Sequence, residues 1–162
     1  MSAAPQSAFH HASCVVVGEA GVLIRGPSGS GKSTLAREIL DLAARGGGFA
    51  RLVGDDRVSL GVKGGRLVAR PHPAIAGRVE VRGLGIRDAD HAGSAVVRLV
   101  VDCGLPRLDR LPDKDQMVTN VMGVELRRVV AGPGQADRVL LALEDAGFSA
   151  TADGTKQGSV SL

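Results

Sequence analysis

The stretch GPSGSGKST at residues 26–34 sets a lysine and two hydroxyls behind three glycines, in the spacing Gly26-x4-Gly31-Lys32-Ser33. That spacing suits phosphate. Glycines let successive backbone N–H groups turn inward around phosphate oxygens, and a helix starting at this point adds the partial positive charge of its N-terminus. Lys32 is then placed to reach the β- and γ-phosphates of a nucleotide and the Ser33 hydroxyl to ligate Mg²⁺. Gly26, Pro27, Ser28, Gly29, Ser30, Gly31 and Thr34 complete the cradle. A Gly-rich turn without a ligand has a similar composition, but the context favours phosphate: the apolar run GVLIR precedes the loop and an amphipathic helix pattern follows it.

A nucleotide-bound Mg²⁺ needs carboxylate oxygens nearby, and two strand ends offer them. Asp102 closes AVVRLVVD, a run that by hydrophobicity alone resembles the acidic strand of ordinary P-loop ATPases. Asp55-Asp56 closes the shorter RLVGDD, where adjacent carboxylates can divide labour, one near a metal and one near an attacking hydroxyl. For Asp102 a purely structural role is the simpler reading, and for the pair the alternative is a solvated turn. Glu80 and Arg82, two apart on one side of a strand, precede a flexible Gly-x-Gly, and Arg110 in LDRLPD is a cation on a loop. Taken singly these are ordinary surface ion-pair partners; beside a phosphate loop they are candidates for stabilising transferred charge.

The elements that must position these groups follow from periodicity. Residues 14–17 and 21–25 read as two short apolar strands joined by GEAG. From Ser33, Leu35, Ile39 and Leu42 recur on one helical face with Ala36 and Ala43 beside them, until Gly46-Gly47-Gly48 stops the helix. FARLV reads as a strand ending at GDD, and RVSLGV and RLVAR as a hairpin about Lys63-Gly64-Gly65. ARPHPAIAG is a loop, AVVRLVVD a buried strand, LPRLDRLPDKDQ too polar for the core, VELRRVVA a last strand, and QADRVLLALEDAG a closing helix with Val139, Leu140 and Leu143 inward. Strands outnumber helices, which predicts an α/β phosphate-loop domain built on a large mixed sheet.

Length predicts one domain over 1–148, with 1–9 flexible and 149–162 a small, polar, disordered tail. With three Phe and no Trp or Tyr, the core has to be built from Val, Leu, Ile and Ala. The net charge of +3 is spread along the chain, which together with the missing aromatic residues argues against nucleic acid as a partner. Cys14 and Cys103 sit among apolar residues as buried free thiols, and the four histidines have no metal-ligand spacing. The N-terminal stretch lacks the pattern of a secretory signal, and no apolar run approaches the roughly 18 residues of a membrane span. A cytoplasmic protein without membrane contact is expected.

These motifs together resemble the catalytic domain of the bacterial HPr kinase/phosphorylase family over roughly residues 10–130. His11 precedes the phosphate loop at the interval that the family shows. GDDRV at 54–58 is similar to its ADDRV, Glu80-Val81-Arg82-Gly83-Leu84-Gly85-Ile86 to its EIRGLGI, and Asp109-Arg110-Leu111-Pro112 to its DRLG-like segment. The resemblance implies a mixed-sheet fold like that of phosphoenolpyruvate carboxykinase and ATP with Mg²⁺ as cofactors. It implies the phosphocarrier protein HPr as partner and a homo-oligomer. By position it implies His11 as an active-site histidine, Lys32 as the phosphate lysine, and Ser33 with Glu80 as Mg²⁺ ligands. Asp56, with Asp55 beside it, becomes the base toward the seryl hydroxyl, Arg82 and the Gly-Leu-Gly backbone a catalytic segment, and Arg110 a phosphate-facing arginine. Asp102 has no counterpart role.

Departures from the family pattern are informative. The approach to His11 is about ten residues, whereas family members commonly carry a whole preceding domain there, and in this the sequence resembles the short form found in α-proteobacteria. Thr34 stands where many have an acidic residue, and VELRRVVAGPGQ is a loose echo of the segment tied to dephosphorylation. Competing readings are a small-metabolite kinase, which requires a lid with clustered arginines, a non-catalytic ATP-sensing regulator, and a motor-type ATPase using Asp102.

Overall fold

The computed structural model describes residues 8–73, 76, 78–81, 83–88, 91–105 and 114–148. Its centre is a hairpin of β2 (Ala12–Val17) and β3 (Ala20–Arg25), paired antiparallel from Ala12↔Arg25 to Val17↔Ala20. Both strands are apolar almost throughout, because the sheet is covered on both faces and no position is left for water. β9 (Ala95–Asp102) lies parallel to β3 on one side, and β4 (Ala50–Gly54) antiparallel to β2 on the other. The order continues outward from β9 through β6 (Arg66–Pro71) and β5 (Val58–Lys63) to β1 (Ala8–His10). β11 (Val124–Val130) also pairs with β9, in parallel, and carries β10 (Val118–Val121) on its far side.

Direction matters more than order for the site. Because β3 and β4 are both antiparallel to β2, they run the same way, and β9 and β11 run with β3. The C-terminal ends of all four therefore reach one edge of the sheet, the usual place for a ligand in a sheet of this kind.

Two helices cover one face. α1 (Lys32–Arg45) buries Leu35, Ala36, Ile39 and Ala43, and α2 (Ala136–Asp145) buries Ala136, Val139 and Leu143. They close over Val15, Val17, Val22, Ile24, Leu99 and Val101. Leu42, expected on the inward face of α1, is 36% exposed: the buried line follows the fourfold spacing of Leu35, Ile39 and Ala43 and leaves Leu42 at its rim. Where the helix ends, the N–H groups of Gly46, Gly47 and Gly48 take the carbonyls of Leu42, Ala44 and Ala43. The other face holds a second apolar cluster that includes Cys14, Leu23, Val58, Leu60, Leu67, Val97 and Leu126. No aromatic residue is fully buried, so the core is aliphatic as the composition requires.

Around the segment EVRGLGI, β7 (Arg78–Val81) pairs antiparallel with β8 (Gly85–Asp88) as a separate hairpin, with Gly83 and Leu84 in its turn. Val81 packs against the helix-side core. The chain then returns to the outer edge of β4, where Ala92 N–H donates to the Leu52 carbonyl at 2.8 Å. Neither β1 nor β10 is announced by the sequence pattern. Residues 1–7 and the expected tail at 149–162 lie outside the described residues.

Candidate functional site

The phosphate loop leaves the C-terminal end of β3 and enters α1 at Lys32. Two of its glycines have no substitute. Gly31 caps the helix in the left-handed conformation at φ 100°, and a Cβ there would come within 2.4 Å of Pro133 Cγ. A Cβ on Gly26 would come within 2.5 Å of the Cys103 carbonyl. Neighbouring strand ends thus press the loop into shape.

Lys32 is buried to 5% exposure and donates from Nζ to the carbonyls of Gly26 at 2.8 Å and Pro27 at 3.2 Å. Its Nζ is also 3.8 Å from Asp56 Oδ1. Ser33 Oγ donates to Asp55 Oδ1 at 2.6 Å. Together with Ser28, Gly29, Gly31, Thr34 and Arg37, the residues Lys32, Ser33 and Asp56 line an open cleft of about 380 Å³.

The acidic pair reaches this point through an irregularity in β4. Cys14 pairs with Gly54 but Val15 pairs with Leu52, so Val53 is an extra residue that bends the strand end. Gly54 fits there because a Cβ would come within 2.6 Å of Val58 Cγ1. Asp56 then adopts φ 63°, a conformation that Asp tolerates better than most residues, of the kind found where function imposes strain. Ser13 ties the turn down: its Oγ donates to Asp55 Oδ1 at 3.0 Å and accepts from the Asp56 N–H at 3.0 Å. The pair is split by exposure. Asp55 is buried, whereas the Asp56 side chain is 58% exposed at the cleft.

Asp102 ends its strand at the same edge but faces other partners. Arg25, in register with it across β3 and β9, donates from Nε at 2.8 Å and from Nη2 at 2.9 Å, and Arg128 Nε donates at 2.5 Å. Burial by itself would raise this carboxyl, but the hydrogen bonds and charges of Arg25 and Arg128 hold it below the ordinary carboxylate value. Its oxygens are committed to structure. Burial also pushes the Cys14 thiol up to about 12 and raises that of Cys103, so both are inert free thiols.

Of the residues expected in the site, the structure brings together the loop 26–34, Lys32, Ser33, Asp55 and Asp56. His11 is exposed and lines a different cavity, of about 320 Å³, with His10, Arg25, Asn120 and Met122. Glu80 is in β7, but its side chain, like Arg82 and Arg110, lies outside what the structure describes. Sequence reasoning missed Ser13 and Arg37. A single hydroxyl inside ASCVVV, which must find a partner once buried, was the available signal for Ser13.

A phosphate loop at the C-terminal edge of a mixed sheet, with a lysine, a hydroxyl and the Asp56 carboxylate lining one cleft and Asp55 bonded behind them, defines a P-loop domain. The chain belongs to the HPr serine kinase C-terminal domain family, whose model matches residues 2–131. A Mycoplasma mycoides protein named HPr kinase/phosphorylase is 30% identical over 135 residues, covering 76% of this chain and 41% of that protein. One of the same name from Clostridium beijerinckii is 34% identical over 150 residues, covering 85% of this chain and 47% of its own. A Chlorobium limicola relative, also so named, is 47% identical over 81 residues, 49% of this chain and 23% of that one. The chain therefore spans less than half the length of these relatives. Among solved structures, that of the Hpr(Ser) kinase/phosphatase from Coxiella burnetii superposes with a TM-score of 0.66 at 21% identity, over 85% of this chain and 94% of that one. The mixed-sheet fold is thus that of a solved kinase/phosphatase. No described helix is long and apolar enough to cross a membrane.

Proposed function

We propose that this chain is the catalytic P-loop domain of an ATP-dependent kinase that phosphorylates a serine of the phosphocarrier HPr and so regulates a bacterial phosphotransferase system. The observation that carries the reading is the 2.6 Å bond between Ser33 and Asp55, with Lys32 3.8 Å from Asp56, which joins phosphate loop and acidic pair in one cleft. The chemistry asks little covalent work of the protein. Loop N–H groups and Lys32 hold and neutralise the phosphates, while the Asp55-Asp56 pair orients the seryl hydroxyl and takes its proton. In the reverse direction, attack of inorganic phosphate on the seryl phosphate releases pyrophosphate, and the same pair returns the proton to the serine oxygen.

The donor set at the loop is all oxygen, Ser33 hydroxyl and Asp55 and Asp56 carboxylates, which fits Mg²⁺. Bound there, Mg²⁺ would neutralise charge on the transferring phosphoryl group, and the family resemblance adds Glu80 as a further ligand. His11, Arg82 and Arg110 are given active-site roles, and a homo-oligomer is inferred, on the family resemblance alone; a cytoplasmic location and a catalytic unit spanning 1–148 are carried by the sequence pattern and the chain length.

Incubation with purified HPr and Mg²⁺–ATP, followed by peptide mass spectrometry, tests the reading. A phosphate on one HPr serine is expected. A protein that binds ATP yet leaves HPr unmodified would be a nucleotide-sensing regulator instead.

A further inference from the structure

Arg37 stands on α1 one turn beyond Ser33, so the two side chains leave the same face of the helix. It lines the cleft with Lys32, Ser33, Thr34 and Asp56. Its Nε is buried and finds no hydrogen-bond partner. A buried guanidinium N–H without an acceptor is costly, and the oxygen pair of a phosphate matches the guanidinium fork. Lys32 is a single point charge already seated on two loop carbonyls, and a transferring phosphoryl group carries more negative charge than it can neutralise.

We propose that Arg37 is a phosphate ligand of this cleft, binding the group that is transferred rather than the phosphates that remain on the nucleotide. The inference rests on the kinase reading above and adds a catalytic residue to it. Two sources present that chemistry, the γ-phosphate of ATP and a free phosphate entering from the acceptor side.

Calorimetric titration of the whole chain separates them, comparing native protein with Arg37→Leu and Arg37→Lys. The probes are Mg²⁺–ADP, the non-hydrolysable Mg²⁺–AMP-PNP, and inorganic phosphate in the presence of saturating Mg²⁺–ADP. Leucine keeps the helix propensity; thermal melts verify that each variant folds, and Arg37→Lys carries the comparison should Arg37→Leu not fold. ADP affinity is expected to stay within about twofold, while AMP-PNP, phosphate or both weaken by about tenfold or more in Arg37→Leu and less in Arg37→Lys. Loss confined to AMP-PNP identifies the γ-phosphate as the source, and loss confined to inorganic phosphate identifies the acceptor side; either supports the assignment. Unchanged affinities, or ADP weakened in step with AMP-PNP, would overturn it. Native protein that binds neither nucleotide would overturn the phosphate-loop reading itself.

Discussion

Asp55 and Asp102 both close strands that run with β3, so both arrive at the edge where the phosphate loop begins. Their surroundings differ completely. Asp102 meets Arg25 in register and Arg128 from β11, and both of its oxygens are taken. Asp55 meets hydroxyls, Ser13 and Ser33, and its neighbour Asp56 opens to the cleft beside Lys32. A carboxylate at the end of a strand is therefore only a starting condition. What decides its use is whether the adjacent strand presents it with a guanidinium or leaves it facing the loop.

That comparison can be broken from either side. On the catalytic side, Ser33→Ala removes the hydroxyl joining loop to acid and should lower phosphoryl transfer by about a hundredfold or more, with the melting temperature little changed. On the structural side, Asp102→Asn removes the charge between two arginines and turns one of its two accepting oxygens into an N–H donor. It is expected to cost about 3 kcal/mol and about 10 °C in melting temperature, with transfer per folded molecule retained.

The same contrast has a pH signature. Since the folded carboxyl of Asp102 titrates below its unfolded value, its stabilisation is complete above the unfolded value and is lost as pH falls through the folded one. Urea unfolding of native protein and Asp102→Asn should therefore differ by a constant amount from about pH 8 to 5, and converge below about pH 4. A smaller effect is expected from Ser13→Ala, about 1–2 kcal/mol by chemical denaturation, because Asp55 and the Asp56 N–H each lose a partner. The smallest concerns Cys14: with its thiol pushed up to about 12 and fully buried, a thiol reagent at pH 8 should modify it only after unfolding.

Much of this is legible in the residues. The continuous apolar runs of β2, β3 and β9, the helix after the loop and the closing helix all declare themselves, because burial on both faces or along one stripe leaves a dense pattern. β1 and β10 do not, since they are short and acquire identity only by pairing with β5 and β11. EVRGLGI reads as one strand running into a flexible Gly-x-Gly, whereas in the structure Gly83 is in a hairpin turn and Gly85 begins the returning strand. The choice between the two acidic strand ends is the least legible feature of the site. It depends on the order β4-β2-β3-β9, on the extra residue Val53, and on Arg25 falling opposite Asp102, all long-range consequences of folding. Arg37 is similarly silent, a single polar residue inside a pattern dominated by its neighbours, and Ser13 is signalled only by its lone hydroxyl in an apolar strand.

The most direct test of the account compares transfer of labelled γ-phosphate from ATP to purified HPr by native protein, by Asp55→Asn/Asp56→Asn and by Asp102→Asn, each normalised to folded protein. Label on a serine that is lost with the acidic pair and kept in Asp102→Asn is the predicted result. Transfer that survives neutralisation of the pair but disappears in folded Asp102→Asn would contradict it, and would make Asp102 the acid that serves the loop.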